Sequence, residues 1–339
     1  MVEVIGENID RLISIEIRPR SGLPRGVIHR LYEKARAKQG KPLSLQAAQK
    51  LVEQVNEGDY VIFLTGAGGP PFLPKGEVDG LLGSAGLARA IDLGLKGKPI
   101  FLCEEWIMEP LKASCEAAGI SILDKKNFEA QAHRGMILNL PVDDQEAVEL
   151  AENLLDEYSP AAVIAIEKLG PNVKGVIHSA LGTDVTATHG KAHHIVNKAR
   201  ERGVLTIGMG DAGNEIGFGL IEEDVRKIVP YGNKCRCPCE MGIADTTKVD
   251  VLLSVGVSNW GAYGIEACMA VLLEEPDLLH TSEMQLRMHE DCVRAGASDG
   301  VYASQVLYDD GISAKTHQSI INILHMIVEN GLKKVERHF

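Results

Sequence analysis

Five short apolar runs recur along this chain, each closing on a polar or glycine-rich turn: "DYVIFLTGAGG" (59–69), "KPIFLCEEW" (98–106), "AAVIAIEKLG" (161–170), "GVLTIGMGDAG" (203–213) and "VDVLLSVGVSNWG" (249–261). Runs this short, rich in Val and Ile and bounded by glycine, suit strands that are covered on both faces. Helical patterns fill the gaps between them: "GLLGSAGLARAIDLGL", "WIMEPLKASCEAAG", "DQEAVELAENLLDEY" and "HGKAHHIVNKARERG". Strand alternating with helix predicts a parallel, Rossmann-like α/β sheet with helices on both faces. Further helices are expected at 25–38 and 43–56 before the sheet, and at 262–274, 282–294 and 314–329 after it. With no repeat or long linker, 1–339 reads as a single α/β domain. Its core sheet spans about 57–275, between helical segments at 1–56 and 276–339, with room for a small subdomain near 275–315.

The bulk properties narrow the function. Net charge is −12, which disfavours general binding to nucleic acid or to an anionic membrane. No run approaches the roughly 18 apolar residues of a spanning helix, and "MVEVIGENIDRL" lacks the basic and apolar regions of a secretory leader. Seven cysteines, an odd number, read as reduced thiols rather than a disulfide framework. The expectation is a cytoplasmic protein; chains of this length and character are often homo-oligomers.

Gly208-Met209-Gly210-Asp211-Ala212-Gly213 is formally G-x-G-x-x-G, the pattern of a pyrophosphate cradle. Yet Asp211 sits inside it and Glu215 just beyond it, where a phosphate would be repelled. The loop follows the fourth strand rather than the first, and the position about 20 residues on, where a ribose-binding acid is expected, holds Tyr231. A dinucleotide site is therefore disfavoured.

Acids mark the other strand ends as well. Glu77 and Asp79 follow the first strand, Glu104 and Glu105 the second, and Glu167 the third. Ligands of open parallel sheets bind at the carboxyl ends of the strands, so these carboxylates should converge. Several at close range cannot all stay ionised without a cation, and all-oxygen ligands suit Mn²⁺ or Mg²⁺. Each acid alone has a plainer reading as a helix cap or solvated loop charge; in "EEW" one carboxylate can point inward while the other caps a helix. Asn214 can cap a helix opening after Gly213 or touch substrate. Ser258 and Asn259 are placed to cap the helix after the fifth strand, with Asn259 also a candidate substrate contact.

Three other segments carry chemistry-bearing residues. "CRCPC" (235–239) looks like a metal motif but lacks the C-x₂-C layout and an evident fourth ligand. In "THGKAHH" (188–194), His189 and His193 have helical spacing, without the glutamate of H-E-x-x-H. "RPRSGLPRG" (18–26) sets Arg18, Arg20 and Arg25 where an anionic substrate group can be held, or where they are simply solvated.

Taken together, "GEVDGLLGSAGLARA", "AIEKLGPNVKGVIH", "GMGDAGNEIGFG", "GVSNWGAYG" and "DDGISAKTH" resemble the family of the C-terminal domain of D-glutamate cyclase. That family occurs as stand-alone proteins in archaea and bacteria and within a mitochondrial protein in animals. The resemblance spans roughly 60–320. It implies an acidic metal site at Glu77, Asp79, Glu167, Asp211 and Glu215, with Glu104 on a shorter match and Asp310 from "DDG". It also implies one of two chemistries: closure of D-glutamate to 5-oxo-D-proline, or Mn²⁺-dependent phosphatase activity.

The density of acids ranks hydrolysis of a small phosphorylated metabolite first. Metal-activated water would attack, and the Gly210–Gly213 turn, Asn214, Lys168 and Arg25 would orient the oxygens. D-glutamate cyclase is the alternative, and a non-catalytic metal- or metabolite-binding protein the third reading. In each, the partner is a small anionic metabolite.

Overall fold

A computed structural model of the chain describes residues 2–18, 23–128 and 133–333. The N-terminal segment forms α1 (Val2–Ile13), α2 (Val27–Gln39) and α3 (Leu43–Gln54). The alternating body follows: β1 (Tyr60–Thr65), α4 (Leu81–Leu95), β2 (Lys98–Cys103), α5 (Met108–Ala117), β3 (Ser121–Ile122), α6 (Lys125–Phe128), β4 (Arg134–Asn139), α7 (Asp144–Tyr158), β5 (Ala162–Ile166), α8 (His193–Glu201), β6 (Leu205–Gly210), α9 (Glu222–Ile228), β7 (Val251–Ser254) and α10 (Ser258–Leu272). The chain continues through α11 (Ser282–Arg294), the hairpin β8 (Tyr308–Asp309) and β9 (Ile312–Ser313), and α12 (Ala314–Leu332).

Among the described residues, β1–β7 form one parallel sheet in the order β3-β4-β2-β1-β5-β6-β7. The central strands are buried almost throughout, as expected for a sheet covered on both faces. With β3 set aside as an edge addition, the other six follow the 3-2-1-4-5-6 order of a doubly wound sheet. All five expected strands are present; β3 and β4 extend the sheet beyond β2. The helices expected at 282–294 and 314–329 are α11 and α12. Within the segment expected to be helical at 1–56, α1, not itself picked out, seats Ile5, Ile9 and Ile13 in the core through one face.

α4 and α10 pack together with α3, α1 and α12 around them, and α7 pairs with α8 elsewhere on the sheet. The segment near 275–315 packs through α11 on α5, α4 and α12. One continuous apolar cluster runs from Ile5 to Val328. Among the described residues no helix is long and apolar enough to cross a membrane.

The strand order fixes where a ligand would bind. From β1 the chain first proceeds to β2 and outward, then returns to β5 on the other side of β1. The loops leaving β1 and β5 therefore part in opposite directions, and the crevice between them is the switch point at which doubly wound sheets bind ligands.

Candidate metal centre

The loop after β1 delivers Glu77 and Asp79 to this crevice. It is anchored by Glu77 N–H to Ala67 O (3.1 Å) and Val78 N–H to Ser298 O (3.0 Å). Gly80 then opens α4 with φ +85°; a Cβ there would lie 2.8 Å from both Glu167 Cβ and Ile166 O, so only glycine lets α4 start this close to β5. Asp79 is 1% exposed and accepts N–H groups from Gly80 (2.9 Å), Ser258 (2.9 Å) and Asn259 (2.7 Å). The last two are the first amides of α10, so a carboxylate from another element caps this helix, as its dipole favours. The expectation that Ser258 and Asn259 cap α10 with their own side chains is thereby corrected. The Ser258 hydroxyl instead donates to Glu167 Oε2 at 2.5 Å. Asn259 is fully buried and ties acids together: Nδ2 donates to Asp309 Oδ2 (2.9 Å) while Oδ1 accepts from Gly83 N–H (2.6 Å). Both ends of its amide are thus occupied by protein.

Glu167 sits directly after β5 at φ +47°, a left-handed conformation that a non-glycine residue holds only when its surroundings impose it. Its carboxylate meets those of Asp79 and Asp211, with one oxygen from each lying within 4.8 Å of the others. Asp79 is shared with a second group, Asp309 and Asp310, at the same spacing. These two come from the β8–β9 hairpin, whose two-residue turn Asp310-Gly311 has positive φ at both positions (53° and 75°), the geometry that makes Asp-Gly a hairpin signal. Asp299 braces the turn by accepting Gly311 N–H at 2.7 Å. Glu77 stands half-buried at the rim.

The electrostatics follow from crowding. Burial, reinforced by Asp310, Asp211 and Asp299, raises Glu77 to about 8. Burial likewise raises Asp310 to about 7, against the pull of Arg18 and with repulsion from Asp211. Burial and neighbouring carboxylates hold Asp79, Glu167 and Asp309 well above the usual carboxylate range. Among the described residues, the cation that meets this group is Arg18. It hydrogen-bonds Asp211 and Gly256 O and lies 3.0 Å from Asp310 Oδ2 without hydrogen-bond alignment. Burial opposes the Arg18 charge, but Asp211, Asp310 and Asp79 outweigh it and keep the guanidinium protonated. Asp309 Oδ1 and Asp310 Oδ2 are buried without a hydrogen-bond partner. Converging carboxylates with unsatisfied buried oxygens are a donor set that fits a hard divalent cation.

Not every expected acid joins the cluster. Glu215 is fully buried and folds back into its own loop, accepting the N–H groups of Asp211 (3.0 Å), Ala212 (2.8 Å) and Gly213 (2.7 Å). Its carboxylate occupies the place a phosphate takes in a dinucleotide cradle, which explains the acid in the glycine pattern. Gly210 makes room for it, since a Cβ there would lie 2.6 Å from Glu215 Cδ. The expectation that Gly210 and Gly213 orient a ligand through this turn is corrected, because the amides of 211–213 are already spoken for. Asn214 does not point its amide at the acids either: Nδ2 donates to His178 O at 2.8 Å.

Glu104 is turned inward, while its neighbour Glu105 is exposed. It is matched by Lys168: Nζ lies 2.7 and 2.6 Å from its two oxygens and 2.9 Å from Gly66 O, and Gly190 N–H adds a further bond at 2.6 Å. Lys168 is wholly buried and its protons are spent on this pair, so it is not presented to a ligand. Arg25 is exposed and Arg20 lies outside the described residues; Arg18 is the arginine of that segment which reaches the acids. His189 is occupied by Gly68 N–H (3.2 Å) and Val185 O (3.0 Å). Asp309 and Asp299 are neighbours of the cluster that sequence reading did not single out, and Ser258, read as a helix cap, proves to be a partner of Glu167. Two open surface hollows, one between α5 and α11 and one beside α7 and α8, share no residue with the cluster.

Comparison with known proteins gives the family. A segment of 111 residues is 28% identical to human "D-glutamate cyclase, mitochondrial", covering 32% of this chain and 17% of the human protein. The chain thus matches only a small part of that relative's length. The family model described as "D-glutamate cyclase-like, C-terminal" matches residues 20–325, taking in every element from α2 to β9 and most of α12. The chain belongs to the D-glutamate cyclase-like, C-terminal family.

Proposed function

We propose that the chain is a divalent-metal-dependent enzyme acting on a small anionic metabolite, and that its reaction is closure of D-glutamate to 5-oxo-D-proline. The observation that carries the metal is the meeting of Asp79, Glu167 and Asp211 within 4.8 Å, beside unsatisfied oxygens on Asp309 and Asp310, at the switch point of the sheet. Family membership supports the choice of reaction. Asp79, Glu167, Asp211, Asp309 and Asp310 would hold Mn²⁺ or Mg²⁺, which supplies Lewis-acid polarisation of a substrate carboxylate.

The chain's own groups account for the rest. In the closure, the α-amine nitrogen bonds the carbon of the side-chain carboxylate and one C–O bond of that carboxylate breaks. Two protons from the ammonium leave with the departing oxygen as water. Glu77, partly exposed beside these carboxylates, is placed to receive and return a proton at its carboxylate. Arg18 is the cation assigned to the substrate's α-carboxylate. Ser258 and Asn259 fix the Glu167 and Asp79 carboxylates, so little reorganisation is needed when charge shifts.

Phosphoester hydrolysis is the second reading, favoured by the sheer density of carboxylates. It ranks lower than sequence reasoning placed it, because Lys168 and the 211–213 amides, its expected phosphate donors, are occupied within the protein. Metal-stripped protein with Mn²⁺ or Mg²⁺ restored separates the two. Loss of the D-glutamate amine without phosphate release from small esters supports closure. Phosphate release alone selects the hydrolase, and silence in both defeats the enzymatic reading. Asp211→Asn should abolish whichever activity appears; retained turnover would exclude this centre.

A further inference from the structure

A second, chemically different cluster lies away from the carboxylates. Cys235, Cys237 and Cys239 turn their sulfurs toward one another and toward His178, a residue of the segment between β5 and α8. One ligand atom from each of the four lies within 4.8 Å of the others. Cys235 Sγ is 3.5 Å from Cys237 Sγ and 3.3 Å from Cys239 Sγ, and His178 Nε2 is 3.2 Å and 3.7 Å from Cys237 and Cys239. A tetrahedron with Zn–S of ~2.3 Å and Zn–N of ~2.0 Å has S···S edges of about 3.8 Å and S···N edges of about 3.5 Å. The four atoms therefore already stand close to the corners of such a site. The sulfurs are too far apart for the ~2.05 Å of a disulfide, and all three cysteines are free.

The surroundings orient the ligands. His178 Nδ1 lies 3.0 Å from Val176 O, which places its proton on Nδ1 and leaves the Nε2 lone pair facing the sulfurs, as metal-bound histidines are usually held. Asn172 Nδ2 donates to Cys239 Sγ (3.4 Å) and to Gly242 O (2.7 Å), and Arg236 N–H donates to Gly182 O (2.9 Å). These contacts join the segments 167–192 and 229–250, both long and without an α-helix or sheet strand. Structureless stretches of that length are uncommon in a compact domain, and a cross-link between them would limit their freedom.

We propose that His178, Cys235, Cys237 and Cys239 bind a structural Zn²⁺ that staples these two segments together. Four protein ligands close the coordination sphere, and thiolate with imidazole selects zinc over the hard cations suited to the carboxylates. The staple is tied to the loop that carries Asp211, because His178 O receives the Asn214 amide.

Elemental analysis of chain purified in reductant without chelator is expected to find about one zinc per chain. Reduced, chelator-stripped chain titrated with Co²⁺ is expected to develop thiolate-to-cobalt charge-transfer absorption and intense tetrahedral d–d bands. Cys237→Ser and His178→Ala should lose the zinc and weaken those bands, whereas Asp79→Asn should keep both. Only a pale octahedral cobalt spectrum, or zinc that follows Asp79 and ignores Cys237, overturns the assignment. The cobalt spectrum of the unaltered chain decides the matter even if a cysteine variant does not fold.

Discussion

Metal binding at the carboxylates should be steeply pH-dependent, and the structure sets the size of the effect. Without a cation, Asp310 is raised to about 7 and Glu77 to about 8, and a divalent ion favours both in ionised form. Between pH 8 and pH 6 the ionised fraction of Asp310 falls from about 0.9 to about 0.1, and that of Glu77 from about 0.5 to about 0.01. The apparent affinity for Mn²⁺ should fall with them, by about two orders of magnitude or more. At pH 7 binding should therefore release protons, from Glu77 and Asp310 and from the other raised carboxylates of the cluster. Calorimetric titration of the metal-stripped chain, in buffers of different ionisation enthalpy, measures both quantities. Glu77→Gln should reduce the release. An affinity unchanged between pH 6 and 8, or binding without proton release, would refute the claim that a cation resolves this repulsion.

Other consequences are accessible to stability measurements. Because Glu77 and Asp310 titrate higher in the folded chain than their ordinary 4.5 and 3.8, the folded state holds more protons between those limits. That stability is complete below about 4 and is lost as pH rises through about 7 to 8. Metal-free chain should therefore melt several degrees lower at pH 8.5 than at pH 6, and saturating Mn²⁺ should remove the difference; a flat metal-free profile would contradict it. Lys168→Met strands the buried Glu104 carboxylate and should cost about 3–5 kcal/mol in denaturant titration, with much of it recovered when Glu104→Gln is added. Gly210→Ala drives a Cβ into Glu215 and should cost about 1–3 kcal/mol while weakening Mn²⁺ binding; a silent substitution would mean the loop is not packed as described. Arg18→Met removes the competing cation, so Mn²⁺ affinity should rise roughly tenfold while KM for the anionic substrate increases; opposite signs would sink the role given to Arg18.

How much was legible in the sequence depends on whether the signal was local. The five strands, and the acids at the ends of four of them, were readable because each is a short apolar run closed by a polar or glycine-rich turn. β4, "RGMILN", lies in the sheet because β2 pairs with it, and nothing in so short a run insists on that. α1 did carry a signal, isoleucines at i and i+4 in Ile5, Ile9 and Ile13, overlooked in a stretch read only for targeting. Asp309 was one residue from a residue already singled out, and the Asp-Gly turn beside it is a recognised hairpin signature. The partners of the charges were not legible at all. Lys168 and Glu104 are joined only because β1 lies between β2 and β5, and His178 completes the cysteine group across a long span of chain.

The strand-end acids were alike in sequence and are sorted in the fold by what already satisfies them. Glu104 has a lysine and an amide, and Glu215 has three amides of its own loop. Each is buried at modest cost because its charge is answered inside the protein. Asp309 keeps an oxygen without a partner, Asp310 meets only the Arg18 charge, and Asp79, Glu167 and Asp211 face one another with the same Arg18 as counter-charge. Burying unanswered carboxylates costs stability, and protonation of Glu77 and Asp310 near neutral pH relieves only part of it. The same loops that could have scattered these charges to solvent hold them instead on a glycine-opened helix, a two-residue hairpin and a left-handed Glu167. A fold that places its strained and unsatisfied groups at one switch point is built to receive positive charge there, and the substrate is then recognised by what that charge attracts.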